Sequence, residues 1–285
     1  MRVRHRRRPA LRDAIARSAA PAAVELAVDR LAGAHPGLED ELEIHTGLRD
    51  AVVAVTAASR SLTRTLEADA EAVEVLRDID RRHEVSTEDP DALVASKHLE
   101  LLRIAARDLL GVDDLARTTG LLSYLAADVL DGSCALATDD GLAVIGMGKL
   151  GADELNYASD IDIIFVGDGE PTDLDRSARE VMELARRCYR VDANLRPEGR
   201  AGQLVRTIDS YEAYWDRWAE PWEFQALIKA RPVAGDRHLG RRFTDTAQRW
   251  LWNRPFDADD LRAVRALKER SEADGREEGT PGPRT

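Results

Sequence analysis

Residues 146–151 read "GMGKLG" and follow the apolar run "LAVI" at 142–145. A G-x-G-x-x-G after a strand is the fingerprint of a dinucleotide-binding loop, which continues into a full helix and then a parallel strand. A parallel return needs a crossover of roughly a dozen residues or more. Here only "ADELNYAS" (152–159) separates Gly151 from Asp160. The spacing is too short, and the acid stands at the start of the next strand instead of its end. The glycines therefore belong to a strand–turn–strand hairpin.

In "SDIDIIF" (159–165) successive side chains alternate between faces. Asp160 and Asp162 point to one side and Ile161 and Ile163 to the other. Their Cα atoms are about 7 Å apart along the strand, so the two carboxylates can hold a divalent cation between them. In "VDANL" (191–195) the same parity turns Val191, Ala193 and Leu195 inward and Asp192 outward. Three acids on neighbouring strands make a two-metal site, which stabilises both the attacking and the leaving oxygen of an in-line phosphoryl displacement. Gly146, Gly148 and Gly151 then let backbone approach a phosphate, and Lys149 pairs with its charge. A lone D-x-D is weak evidence. Strand, glycine turn, D-x-D strand, helix and D-bearing strand together are specific.

The rest of the chain frames this hairpin. Residues 9 to about 130 are rich in Ala, Leu, Arg, Glu and Asp and read as helical. The clearest helix starts with Asp89 as N-cap and Pro90 at its first position, shows Leu102, Ala105, Ala106 and Leu109 on one face, and ends at Gly111. A second carries Leu115, Leu122, Leu125 and Val129. After the D-x-D strand, "LDRSAREVMELARRC" puts Leu174, Ala178, Val181, Ala185 and Cys188 on the inner face of a helix. "SYEAYWDRWAEPWEFQALIKAR" (210–231) reads as helical with a break near Pro221, and Trp215, Trp218 and Trp222 as a core stripe. The expected fold is α+β: a helical region over 1–130, a catalytic domain with a small mixed sheet over 131–255, and a helical end with a disordered tail over 256–285.

Composition narrows the function. Of 285 residues 41 are Lys or Arg and 53 Asp or Glu, for a net charge of −12. Nucleic acid is not expected as a partner, because its affinity rests on neutralising phosphates. The basic "MRVRHRRR" at 1–8 reads as a solvated terminus. Cys134 and Cys188 form neither a disulfide framework nor a metal-ligand spacing and suit a reducing cytoplasm. No apolar stretch approaches membrane-spanning length and no secretory signal is read, so no membrane is expected.

"GMGKLGADELNYASDIDIIF", "VDANLRPEGRAGQLVRT", "WEFQALIKARPVAGD" and, upstream, "LRIAARDLLG" closely resemble the glutamine-synthetase adenylyltransferase/adenylyl-removing enzyme family, over about residues 90–250. The resemblance implies a DNA-polymerase-β-like nucleotidyltransferase. Full members of that family carry two such domains: one attaches AMP to a tyrosine of glutamine synthetase, the other removes it by phosphorolysis and yields ADP. "ELNYASDID" with "LIKARPVAGD" looks like the N-terminal, adenylyl-removing half of a truncated member. The resemblance implies Asp160, Asp162 and Asp192 as Mg²⁺ ligands in a two-metal site. Gly146, Gly148 and Lys149 would lie at the phosphate loop, and Arg196, Arg200, Lys229 and Arg231 would be phosphate contacts. ATP or ADP and phosphate would be substrates, glutamine synthetase and a nitrogen-signalling PII protein the partners, and the cytoplasm the location. Two alternatives stand beside this reading: forward AMP transfer from ATP, with Asp192 as base, and an inactive binding fragment.

Overall fold

The computed structural model describes residues 9–137 and 141–253, with 262, 265 and 266. The basic run at 1–8 and nearly all of the expected helical end and tail over 256–285 lie outside the described residues. The chain divides into two compact units between Gly132 and Ser133.

The first unit is helical: α1 (Pro9–Arg17), α2 (Pro21–Ala34), α3 (Leu38–Ile44), α4 (Thr46–Ala58), α5 (Arg60–Ala68), α6 (Glu71–Arg77), α7 (Pro90–Leu109) and most of α8 (Leu115–Ala137). Its core is almost wholly aliphatic, with Val24, Val28, Leu31, Leu42, Val52, Leu66, Leu76 and Leu102 buried in one cluster. Asp89 caps α7 by accepting from the N–H groups of Asp91 and Ala92, both at 2.8 Å. Gly111 takes φ +67° just past its end. Leu109 and Leu115, expected on inner faces, are instead 44% and 78% exposed. Both stand at the α7–α8 turn, where the helical period no longer faces the core. Inside α7, Arg103 grips Glu100 at 2.7 and 2.8 Å and donates to the carbonyl of Ile79 at 3.0 Å. Glu100 also accepts the His83 N–H, which fastens the α6–α7 connection.

The expectation that no apolar stretch approaches membrane-spanning length needs correction. α8 is long and apolar enough by length and composition, and half of its most apolar window is buried inside the protein.

The second unit holds the sheet. Its elements are β1 (Leu142–Gly146), the single turn α9 (Gly148–Gly151), β2 (Ile161–Gly167), α10 (Pro171–Arg186), β3 (Val191–Asp192), β4 (Val205–Arg206), α11 (Ile208–Trp218), α12 (Pro221–Ile228), β5 (Arg231–Gly235) and α13 (Arg237–Asn253). The sheet is mixed, ordered β3-β2-β1-β5, with β4 also on β2. β1 and β2 are antiparallel, with Ile145 opposite Ile164. An antiparallel pair directly after the glycines rules out the dinucleotide fold, whose strands run parallel.

One face of the sheet buries Ala143, Ile145, Ile164 and Val166 against Tyr211, Trp215, Phe224 and Phe243 of α11, α12 and α13. The amphipathic α10 buries Leu174, Ala178, Val181 and Ala185 as its spacing predicts, but ends at Arg186, so Cys188 falls in the following turn. The tryptophans do not form one stripe. Trp215 is buried against Trp250 at 5.3 Å, whereas Trp218 is 70% exposed. Pro221 starts a separate helix, closed at its start by a reciprocal cap between Glu220 and Glu223.

Two strands escape the sequence reading. β4 is only two residues long. β5 begins at Arg231, the last residue of the stretch read as helix, and runs on through residues given no reading; its Pro232 is accommodated because β5 is an edge strand and the register with β1 shifts between Val144 and Ile145.

Candidate active site

The acids converge through register. β3 pairs with β2 in parallel, Ile161 opposite Val191 and Asp162 opposite Asp192. Adjacent strands lie about 4.8 Å apart, so Asp162 and Asp192 are immediate neighbours on one face. Asp160, two residues before Asp162, shares that face by alternation. β3 ends at Asp192, two residues into the expected strand 191–195, because the Asp192 carboxylate accepts the Asn194 N–H at 2.7 Å and turns the chain. The loop then returns to the same edge of β2 as β4, where Phe165 pairs with Val205.

The electrostatics agree with this convergence. Burial holds the Asp162 carboxyl above the usual carboxylate range, and the charges of Asp192 and Asp160 push it the same way. The charge of Lys149 acts in the opposite sense. Asp162 therefore lies within reach of all three groups.

The glycines have separate uses. A Cβ on Gly148 would stand 2.7 Å from Asp162 Oδ2, and its φ is +52°. This glycine lets the turn after β1 close over the carboxylate. A Cβ on Gly151 would stand 1.9 Å from the carbonyl oxygen of Lys229, and one on Gly146 would meet Val233 and Leu150 at 2.8 and 2.9 Å. Both positions are filled by the protein's own packing. Of the three, Gly148 alone borders the acids.

The basic residues also separate. Lys229 pairs with Glu154 at 2.7 Å. Arg231 pairs with Asp153 at 2.6 Å and donates to the carbonyls of Leu150 and Gly151. Both fasten the α9–β2 loop to the start of β5. Arg196 is buried and donates to the carbonyls of Ala193, Arg200 and Gly202, so its guanidinium closes the β3–β4 loop from inside. Burial lowers its pKa. Arg200 and Lys149 are exposed.

A cavity of about 660 Å³ opens between α10 and the β3–β4 loop. Asp160, Asp192, Arg200, Arg179, Arg186 and Arg190 are among the residues lining it. The last three were not singled out from sequence. Arg190 forms an ion pair with Asp160 and donates to the carbonyl of Ala158 at 3.0 Å. Its position two residues before Asp192 was the available signal, since equal parity puts it on the acid face.

The donor set is entirely carboxylate oxygen, which suits a hard cation such as Mg²⁺, and the unbalanced charge around Asp162 favours one. Among the described residues no group of three or more His, Cys, Asp and Glu side chains is already gathered for a metal. Asp160 is engaged by Arg190, and Asp192 by the Asn194 N–H.

The family model for glutamate-ammonia ligase adenylyltransferase matches residues 27–187 and 180–246. The bifunctional glutamine synthetase adenylyltransferase/adenylyl-removing enzyme of Streptomyces coelicolor is 42% identical over 245 residues, which is 77% of this chain and 23% of the relative. The protein of the same name from Mycobacterium avium is 51% identical over 140 residues, 49% of this chain and 14% of the relative. That from Mycolicibacterium smegmatis is 46% identical over 167 residues, 53% and 17% respectively. The chain thus spans less than a quarter of the length of these relatives.

Proposed function

The chain belongs to the glutamate-ammonia ligase adenylyltransferase family, and from that premise we propose that it is a nucleotidyl-transfer module of polymerase-β-like fold that removes AMP from an adenylylated tyrosine of glutamine synthetase by phosphorolysis. The observation that carries this reading is the parallel register of Asp162 with Asp192, with Gly148 closed over the Asp162 carboxylate.

Asp160, Asp162 and Asp192 would hold Mg²⁺. When bound, it neutralises charge on the oxygens around the reacting phosphorus. The chain's own residues do the rest. Lys149 and the backbone at Gly148 orient inorganic phosphate, which is already anionic and needs no base. One of its oxygens attacks the phosphorus of the tyrosyl-AMP, the bond from phosphorus to the tyrosine oxygen breaks, and ADP forms. The released phenolate takes a proton from solvent. Lys229 and Arg231 act at one remove, by holding the loop that leads into Asp160.

This reading makes glutamine synthetase the protein substrate and a nitrogen-signalling PII protein the regulatory partner, and it sets the reaction in the cytoplasm. The test is ADP formation from adenylylated glutamine synthetase across a phosphate titration with Mg²⁺. The expected result is ADP that rises with phosphate and saturates. AMP release independent of phosphate would mean hydrolysis, and labelling of unmodified glutamine synthetase from ATP would mean the forward reaction; either would replace the proposed direction.

A further inference from the structure

We propose that Arg190 exchanges partners: it holds Asp160 in the cation-free protein and turns to an anionic phosphate group in the adjoining cavity once a cation takes up Asp160. The inference rests on the cation reading above. Extending the β2–β3 register by one residue sets Arg190 opposite Asp160, as Asp162 is set opposite Asp192. The Ile161 N–H donates to the Arg190 carbonyl at 2.9 Å, which fixes the backbone of this pair. The edge therefore carries one acid in a direct ion pair beside two acids for which no ion pair occurs among the described residues, Asp162 feeling only the charge of Lys149 nearby.

The contact is suited to exchange. Arg190 is 77% exposed and Asp160 50%, and an exposed ion pair is weak. A dication offers the carboxylate more than a guanidinium does. Once released, Arg190 remains at the wall of the 660 Å³ cavity that Arg186 and Arg200 also line. The planar guanidinium fork matches phosphate oxygens as well as carboxylate oxygens. Arg196, in the same wall, already donates to three loop carbonyls, and Arg179 is paired with Asp175 at 2.8 Å. Cation and phosphate binding should therefore be coupled through Arg190, and coupling of this kind is reciprocal.

Two binding measurements on the 285-residue chain test this without turnover. Mn²⁺ binding followed by electron paramagnetic resonance, without phosphate, should be about two- to fivefold tighter in Arg190→Gln than in the wild type, the range set by an exposed ion pair. Inorganic phosphate binding followed by calorimetry in chelator should be tighter by a similar factor in Asp160→Asn, where Arg190 is already released. That gain should vanish in the Asp160→Asn/Arg190→Gln double variant. Unchanged Mn²⁺ affinity in Arg190→Gln, or a phosphate gain that persists in the double variant, would overturn the exchange. A wild-type protein that binds no Mn²⁺ would overturn the cation reading itself. Melting temperatures confirm that each variant is folded.

Discussion

Gly148→Ala separates a glycine that serves the site from one that serves the fold. The new methyl carbon would lie 2.7 Å from Asp162 Oδ2 at a residue with φ +52°. The left-handed backbone costs about 1–2 kcal/mol for a residue with a Cβ, which for a domain of this size lowers the melting temperature by about 2–8 °C. The steric conflict is with a side-chain carboxylate, which relieves it by swinging away by the better part of an ångström. A displacement of that order at a reacting centre costs about 100-fold in rate. Gly151→Ala is the contrast. There the methyl would lie 1.9 Å from the backbone oxygen of Lys229 and 2.6 Å from that of Gly146, and neither can swing aside. The prediction is a folded Gly148→Ala protein with a modest melting shift and about 100-fold slower ADP formation, against a Gly151→Ala protein that loses its fold. Calorimetry and phosphate-dependent ADP formation read the two effects separately. Full turnover in Gly148→Ala, or a melting loss equal to that of Gly151→Ala, would refute the assignment.

Asp162→Asn should abolish ADP formation while its melting temperature in chelator stays level or rises, because one of three mutually repelling carboxylates is neutralised; a large fall in melting temperature would make Asp162 structural. Asp113 is gripped by Arg107 at 2.7 and 2.9 Å, which holds its carboxyl below the ordinary value. Its contribution is present above about pH 4 and is lost as pH falls through the depressed native value. Asp113→Asn should therefore cost about 1–3 kcal/mol at neutral pH and flatten the acid limb of stability, measured by urea unfolding across pH; an unchanged acid limb would contradict this. Gly120→Ala, inside α8 with nothing within 4 Å of the new carbon, should raise stability by up to about 1 kcal/mol; a lower melting temperature would show an unseen constraint.

The sequence made the hairpin legible because its evidence is local. Strand alternation placed Asp160 and Asp162 on one face, and the short spacer excluded a parallel crossover. β4 and β5 were hidden for physical reasons. A two-residue strand has no period to read, and Pro232 argues against a strand unless the bulge beside it is known. The Trp stripe failed because Pro221 places Trp222 in a second helix and Trp218, the last residue of α11, is exposed. Parity with Asp192 was enough to put Arg190, among the arginines of "ARRCYRVD", on the acid face, but its pairing with Asp160 follows only from the register between β2 and β3. Likewise, nothing in "RPEGR" or "IKARP" announces that Arg196 and Arg231 spend their donors on nearby carbonyls. Such partners are set by tertiary approach, which one-dimensional spacing does not encode.

The central claim is that the β2–β3 edge is a cation-dependent phosphoryl-transfer centre. Anomalous diffraction from crystals of the chain soaked in Mn²⁺ tests it most directly. The expected result is a peak between the carboxylates of Asp162 and Asp192, with Asp160 turned toward it and away from Arg190. A map with no peak at that edge, or with Mn²⁺ bound only elsewhere, would contradict it.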